Sequence, residues 1–194
     1  MLLLKSAKKK GLNGIAITDH NCITGALKVK NMNKDKNFEV IVGEEVSTDC
    51  GHLLAYNINQ EIKLRAIIEV IEEIKNQGGL AVYAHPFRVI SFYNFLKHFS
   101  QIQKKLDAIE TLNGRSMLFD NILADRYALN HNLTGTGGSD AHFAFEIGSI
   151  VTEFDNSFEK AIKLNKLKLS GYILRGYIGS LRSSILALKT WKRK

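Results

Sequence analysis

The chain has 194 residues, of which 45% are hydrophobic and 24% charged, with a formal net charge of +8. This length fits one domain with a sizeable core, and no apolar run reaches the roughly 18–20 residues that a membrane span needs. Two cysteines, Cys22 and Cys50, are too few for a disulfide framework, so we expect a single domain in a reducing cytoplasm.

The N-terminal segment has the pattern of a helix end, a glycine cap at Gly11 and a strand from Gly14. Its first residues are too few and too quickly followed by lysines to be a signal peptide. A parallel α/β domain does not normally begin in the middle of a helix. We therefore expect that the first strand of the domain and the loop after it are missing from this chain.

Short apolar runs alternate with longer amphipathic runs along the rest of the chain, which is typical of an α/β domain with mainly parallel strands. The pattern predicts seven strands, at residues 14–18, 39–42, 53–57, 80–83, 108–112, 133–136 and 149–152.

Three helices are predicted, at residues 64–77, 92–104 and 117–131. The first is expected to bury one face and to end at Gly78 in a left-handed cap; that face consists of Leu64, Ile67, Ile68, Ile71 and Ile74. The last has Leu118, Ile122, Tyr127 and Leu129 among its apolar positions.

The positive charge is concentrated at the C-terminus. From Glu159 onward the sequence holds ten Lys or Arg residues and one acidic residue, whereas the preceding part is almost balanced. Such a segment can attract phosphate-rich partners such as nucleic acid. It can equally be the solvated face of terminal helices, and the sequence leaves both interpretations open.

Residue types that bind metal ions recur where predicted strands end or begin. Functional side chains gather at the carboxyl ends of parallel strands, and this placement fits His20, Glu45, His85, Asp140 and His142. His52 stands at the start of its strand, so either the direction of that strand or its position at an edge of the sheet is expected to differ. Neutral imidazoles combined with carboxylates suit divalent Zn, Mn or Fe.

Local sequence suggests how two of these groups are presented. Pro86 favours an extended conformation of His85, and an extended backbone at Asp140 and His142 would place both side chains on one face. The two remaining histidines, His98 and His131, fall on helices and are interpreted as structural.

The order of these motifs resembles the PHP family, named for polymerase and histidinol phosphatase. The similarity extends from about Ala7 to Phe154 and is carried by Thr-Asp-His at residues 18–20, Gly-Glu-Glu at 43–45, Gly-His at 51–52, Ala-His-Pro at 84–86 and Ser-Asp-Ala-His at 139–142. The resemblance implies a distorted (β/α)7 TIM-like barrel. It also implies a site in which two or three metal ions hydrolyse phosphate esters.

The resemblance also implies roles for individual residues. Glu45 would bridge two ions, with His52 and His85 as further ligands of one of them. Asp140 would bind the second ion, and a third would be held by His20 and His142. Asp19 would orient neighbouring ligands.

The chain departs from the family pattern at its start. The family opens with a His-x-His strand and a following loop that carries another Asp or His ligand, and neither precedes Met1. We therefore expect the whole chain, residues 1–194, to be a single N-terminally truncated PHP domain with a basic segment from about residue 159.

These observations predict a metal-dependent phosphoesterase that acts on a small phosphomonoester or nucleotide through a metal-activated hydroxide. Glu45 and Asp140 would serve the reaction by holding the ions. Arg88 would hold the substrate phosphate, unless it is a surface residue of its loop, and Arg115 is a weaker candidate for the same role. The alternatives are a non-catalytic RNA-binding protein of the ribonuclease P subunit type and a metal-dependent nuclease, both using the basic C-terminal segment.

Overall fold

The computed structural model describes residues 2–191, and for residues 89–92 and 185–191 it describes the backbone alone. Within this range the chain forms eight strands: β1 (Gly14–His20), β2 (Glu39–Thr48), β3 (Gly51–Tyr56), β4 (Leu80–Tyr83), β5 (Ala108–Asn113), β6 (Gly135–Gly138), β7 (Ile150–Glu153) and β8 (Lys168–Gly171). The helices of the same range are α1 (Leu2–Lys9), α2 (Thr24–Met32), α3 (Ile67–Asn76), α4 (Val89–Ile102), α5 (Leu118–Asn130), α6 (Phe158–Lys163) and α7 (Leu174–Trp191).

The first six strands form one sheet in chain order, from β1 at one edge to β6 at the other. β1 and β2 are parallel, and so are β4, β5 and β6, whereas β3 runs antiparallel to both of its neighbours. The predicted strands are therefore present in a mixed α/β fold. Of the two alternatives for the strand of His52, the reversed direction is confirmed.

The two remaining strands form a separate antiparallel ribbon. β7 pairs with β8, which the sequence analysis did not predict, and the ribbon lies beside β6. The Thr152 hydroxyl accepts a hydrogen bond from the Gly137 amide at 3.1 Å and donates one to the Gly137 carbonyl at 2.7 Å. Side-chain hydrogen bonds, and not a backbone ladder, thus join this ribbon to the large sheet.

The buried face of α3 differs from the prediction at three residues. Ile67, Val70, Ile71 and Ile74 are buried, while Leu64 and Ile68 are exposed. The helix begins at Ile67, so Leu64 lies outside it and Val70 takes the inner position. Gly78, at φ +74°, ends the helix as expected.

Most of the large apolar side chains of α5 do not face the core. Leu118, Ile122 and Leu129 are exposed, and the buried positions are Asn121, Ala124 and Ala128. Small alanine side chains let the helix approach the sheet closely, which leaves the larger side chains on the outer face. Tyr127 is partly buried against the core.

Aromatic side chains fill the space between β4, α4 and α5. Phe95 is fully buried, and its ring centroid lies 4.7 Å from that of Tyr83, 5.1 Å from that of Phe99 and 5.2 Å from that of Tyr127. Tilted and edge-to-face contacts of this kind stabilise beyond the area they bury. The cluster supports the sheet from the outside, below the strand end that carries His85.

The N-terminal helix and its glycine cap are as predicted. Gly11 adopts φ +74° after α1, and the Lys10 ammonium donates hydrogen bonds to the carbonyls of Phe145 and Ile147. Among the helices of residues 2–191, none combines the length and the apolar character needed to cross a membrane. The last residues of the basic segment, 192–194, lie outside the described residues.

Candidate metal centre

The side chains singled out from the sequence meet at one end of the large sheet. His20 is the last residue of β1 and pairs in register with Glu45 of β2. His85 follows the end of β4 directly. Because β3 is antiparallel, its beginning lies at this same end, which brings His52 beside the carboxyl ends of its parallel neighbours.

Glu45 is the centre of this cluster. Its Oε1 lies 2.6 Å from His52 Nδ1 and 3.2 Å from His85 Nε2, and its Oε2 lies 3.8 Å from His20 Nε2. The carboxylate is buried, whereas the imidazole of His20 is about half exposed. One buried carboxylate therefore contacts three imidazoles at the edge of solvent.

The spacing of these groups suits a metal ion. One ligand atom from each of His20, Glu45 and His52 lies within 4.8 Å of the other two, and donors about 2.0–2.2 Å from a common ion cannot be more than roughly 4.4 Å apart. The rings of His52 and His85 are 5.4 Å apart between centroids. Small adjustments of side-chain torsions would bring these donors onto one ion.

The imidazoles hold the carboxyl of Glu45 in its charged form. Burial acts to raise its pKa, but hydrogen bonds with His52 and His85 outweigh burial and lower the pKa below its usual range. Burial likewise acts to lower the pKa of His85, and the hydrogen bond with Glu45 raises it overall. A charged carboxylate is the form that binds a cation.

The backbone of His85 differs from the extended form that Pro86 was expected to favour. His85 has φ +29°, a region that non-glycine residues rarely adopt. Its amide donates a hydrogen bond of 3.0 Å to Glu110 Oε2, which stabilises this turn. The ring is buried, and its Nδ1 has no hydrogen-bond partner among the residues that the structure describes, so a ligand could satisfy this atom.

Asp140 is also in a left-handed conformation, at φ +48°, so the condition of an extended backbone from Asp140 to His142 is not met. The two residues nevertheless meet, because His142 Nδ1 lies 3.0 Å from the Asp140 carbonyl oxygen. The carboxylate of Asp140 accepts hydrogen bonds from Arg88 Nη2 at 3.0 Å and from Asn113 Nδ2 at 3.3 Å. Arg88 therefore reaches the site from the loop after His85.

Glu110 and Asn113 connect the two halves of the site. Asn113 Nδ2 also donates to Glu110 Oε2 at 3.0 Å, the same oxygen that accepts the His85 amide. Glu110 is buried, and burial is the main reason that its pKa rises to about 7, with a further contribution from the charge of Asp140. The sequence analysis did not single out Asn113, although its position at the end of β5 was a signal.

Three other candidates lie elsewhere. The Asp19 carboxylate is exposed and packs against Gly25, where an added Cβ would clash with it. Arg115 is buried in an ion pair with Glu146 at 3.0 Å and is not free to hold a phosphate. His131 stacks on Tyr127 with ring centroids 4.0 Å apart, in accord with a structural role.

An open cavity of about 1530 Å³ adjoins the cluster. The cluster residues that line it are His20, Glu45, His85, Glu110, Asp140 and His142, and its far end is lined by residues that include Lys10, Lys36 and Lys168. Ligand pockets are commonly about 300–1,000 Å³. The cavity therefore has ample room for a small phosphorylated molecule beside the histidines.

Comparison with known proteins agrees with this site. The family model described as PHP-associated matches residues 119–166. Two uncharacterized proteins of Methanocaldococcus jannaschii are similar in sequence. MJ1587 is 44% identical over 89 residues, which are 45% of this chain and 52% of the relative. MJ0417 is 30% identical over 146 residues, which are 72% of this chain and 56% of the relative. The chain thus spans about half the length of the curated relatives it matches.

Solved structures show the same fold at low sequence identity. A two-domain protein of Bacteroides vulgatus containing a predicted PHP-like metal-dependent phosphoesterase has a TM-score of 0.71 at 18% identity, covering 92% of this chain and 64% of its own. PsfC of Pseudomonas syringae has a TM-score of 0.70 at 14% sequence identity, and the match covers 97% of this chain and 88% of PsfC. An amidohydrolase of Chromobacterium violaceum, solved with bound sulfate and no metal, has a TM-score of 0.60 at 16% sequence identity. The match covers 72% of this chain and 81% of the amidohydrolase.

The residues matched by the family model include part of the candidate metal centre. The matched model covers nearly all of α5 together with β6, β7 and α6, and it includes the segment that carries Asp140 and His142. The chain therefore contains a segment, residues 119–166, that matches a PHP-associated family model, and its fold is similar to that of PHP-like solved structures.

Proposed function

We propose that the protein is a metal-dependent phosphoesterase that hydrolyses a phosphate ester. The single observation that carries this proposal is the Glu45 carboxylate, whose Oε1 lies within 3.2 Å of two imidazole nitrogens at the mouth of a large open cavity. The match to a PHP-associated family model and the structural similarity to a PHP-like metal-dependent phosphoesterase support the same reaction class. The six-stranded sheet would then be part of a distorted (β/α)7 barrel.

The donors fit divalent Zn, Mn or Fe, because neutral nitrogen and anionic oxygen are mixed in one cluster. Glu45, His52 and His85 would hold one ion, Asp140 a second, and His20 with His142 a third. When bound, such ions lower the pKa of a coordinated water and neutralise phosphate oxygens. The unpartnered Nδ1 of His85 and the left-handed backbones of His85 and Asp140 are features typical of a functional site.

Arg88 is the residue that would orient the phosphate. Its guanidinium lies 3.0 Å from Asp140 and remains about one-third exposed, so it can bind an anion without a large rearrangement of the chain. A planar guanidinium offers two parallel donors to phosphate oxygens. We propose a small phosphate ester as the substrate, with nucleic acid bound through the basic C-terminal segment as the competing possibility.

The contacts of that segment bear on the competing possibility. Lys163 pairs with Glu159, Lys168 lies 3.8 Å from Glu153, and Arg182 packs over the ring of Phe143. Several of its charges thus contribute to helices and to the ribbon. A single-stranded oligonucleotide should accordingly be a poorer substrate than a small aryl phosphate, and preferential release of nucleotides would favour a nuclease instead.

The test compares Glu45→Gln with Glu44→Gln. Glu44 is the neighbouring buried carboxylate, but its side chain faces the other side of β2 and accepts a hydrogen bond from the Ile62 amide. With Mn²⁺ titrated calorimetrically, Glu45→Gln should weaken binding by more than about 100-fold, because loss of an outer partner alone costs 10–100-fold. Glu44→Gln should bind Mn²⁺ like the parent protein.

Hydrolysis of a chromogenic aryl phosphate in the presence of Mn²⁺ or Zn²⁺ completes the test. The parent protein and Glu44→Gln should turn over the ester, and Glu45→Gln should not. Absence of both metal binding and turnover in the parent protein would refute the proposal. Equal metal binding by the two variants would refute the central role of Glu45.

A further inference from the structure

We propose that Glu146 is a positioning residue, which together with Arg115 and helix α7 fixes the loop that carries His142. This inference rests on the proposed function, since it concerns the placement of one of the metal-binding side chains. It assigns to the C-terminal helix a part in the metal centre, although none of the residues of that helix whose side chains are described, 174–184, lines the adjoining cavity.

Glu146 anchors the backbone of the His142 loop. It is fully buried, and its Oε2 accepts hydrogen bonds from the amides of His142 at 2.8 Å and Phe143 at 2.7 Å. Two amide donors on one carboxylate oxygen fix the direction of the backbone at His142. The position from which the imidazole projects is therefore set by Glu146.

Arg115 holds the other oxygen of Glu146. Its Nε donates to Glu146 Oε1 at 3.0 Å, and both side chains are almost completely buried. The Arg115 amide donates to Asn113 Oδ1 at 2.8 Å, and Asn113 also contacts Asp140. The same network thus connects His142 with the second carboxylate of the site.

Side chains of helix α7 contact this network. Arg115 Nη2 donates to Ser183 Oγ at 2.8 Å, and Arg182 lies 4.8 Å from the ring centroid of Phe143. An added Cβ at Gly179 would clash with the Glu146 carboxylate. Only glycine lets the helix approach the carboxylate this closely, so the C-terminal helix directly supports the His142 loop.

Stability alone is a weak reason for this arrangement. A buried ion pair often contributes no more to folding than apolar side chains of the same volume, because both charges lose their hydration. A buried pair does impose geometry, since both partners must be satisfied in fixed directions. In this protein the geometry that is imposed is that of His142.

The experiment follows a Zn²⁺ titration of the protein by the imidazole ¹⁵N shifts of His52 and His142. In Glu146→Ala, the Zn²⁺ concentration at the midpoint for His142 should rise about 10-fold or more, the range seen when an outer partner of a metal ligand is removed. The midpoint for His52 should change by less than about 2-fold, because His52 contacts Glu45 and not this network. Glu146→Gln retains an oxygen that can accept the two amides and should restore part of the loss.

Val70→Ala is the matched control, since it removes buried volume from α3 on the far side of the core. It should lower the melting temperature without separating the two midpoints. If Glu146→Ala does not fold, Arg115→Met and Glu146→Gln decide the question by the same midpoints. A variant that titrates like the parent protein at both histidines would overturn the inference.

The two proposals fail in different ways. If neither His52 nor His142 of the parent protein responds to Zn²⁺, the proposed function fails. If His52 responds and His142 does not, the positioning role is overturned while the metal centre stands. If both respond and the Glu146 variants leave the His142 midpoint unchanged, only the positioning role is overturned.

Discussion

His20 is the last residue of one edge strand of the six-stranded sheet and His142 follows the other, yet their imidazole rings are only 6.4 Å apart between centroids. Adjacent strands lie about 4.8 Å apart, so the edges of a flat six-stranded sheet would be separated by roughly 24 Å. The sheet must therefore curl until its two edges approach each other. This curvature gathers donors from β1, β2, β3, β4 and the loop after β6 around one cavity.

His20 should contribute to metal binding although it contributes little to folding. Its side chain is about half exposed, so His20→Ala should fold normally. At 100 times the dissociation constant a bound ion stabilises by about 2.7 kcal/mol, which corresponds to roughly 5–10 °C for a protein of this size. His20→Ala should lose much of this Zn²⁺-induced shift in melting temperature. His98→Ala, which changes a histidine of α4, should retain the shift, and equal shifts in both variants would contradict a ligand role for His20.

Glu110 should make the metal-free protein less stable as the pH rises. Its pKa is raised from 4.5 to about 7 in the folded state, chiefly by burial, so between these values the folded state binds more protons than the unfolded state. Stability from this group is present below about pH 4.5 and is lost as the pH rises through 7. Glu110→Gln cannot ionise and should lose less stability between pH 5 and pH 8.

Urea denaturation with a chelator present checks this prediction. The free energy of unfolding of Glu110→Gln, relative to that of the parent protein, should be higher at pH 8 than at pH 5. Parallel pH profiles for the two proteins would show that Glu110 does not titrate in this range.

Arg88 should act on the substrate more than on folding. Hydrogen bonds to a charged group contribute about 1.5–3 kcal/mol, so Arg88→Met should lower kcat/KM for an aryl phosphate by roughly 10–100-fold. Arg88→Lys keeps the charge without the paired donors and should show a smaller loss. Steady-state kinetics with saturating Mn²⁺ measures both effects. If Arg88→Met is as active as the parent protein, Arg88 only neutralises Asp140.

Phe95 should be among the most sensitive core positions. It is fully buried between Tyr83, Phe99 and Tyr127, and Phe95→Ala should lower the free energy of unfolding by about 3–5 kcal/mol. Tyr93→Ala removes an aromatic ring from the same helix, but this ring is 74% exposed. That control should change stability by less than about 0.5 kcal/mol. Similar urea midpoints for the two variants would contradict the aromatic cluster as a source of stability.

Local sequence was sufficient for most of the elements. The seven predicted strands and the cap at Gly78 follow from alternation of apolar residues and from the need for a positive φ, which depend on near neighbours in the chain. The side chains at strand ends could be predicted for the same reason. The inner face of α5 could not be predicted in this way. Ala124 and Ala128 face the sheet because their small side chains allow a close approach, and not because they are the most hydrophobic residues of the helix.

The conformations of the donor loops were also beyond prediction from local sequence. Pro86 favoured an extended backbone at His85, and an extended backbone at Asp140 was considered, whereas the two residues have φ of +29° and +48°. Hydrogen bonds from distant residues stabilise these conformations, above all Glu110 for the amide of His85. Arg115 was considered for phosphate binding because it follows a predicted strand. Its ion pair with Glu146 could not be predicted, because Glu146 lies 31 residues away in sequence.

The amino-acid sequence by itself determined which donors the protein has and at which strand ends they stand, because strand formation and side-chain alternation are local properties. Only the tertiary structure decided that His52 faces the same site, that His20 and His142 meet, and that helix α7 supports the His142 loop. These features depend on the direction of β3, on the curl of the sheet and on a buried ion pair. Each of them joins segments that are far apart in the chain, so no local pattern encodes it.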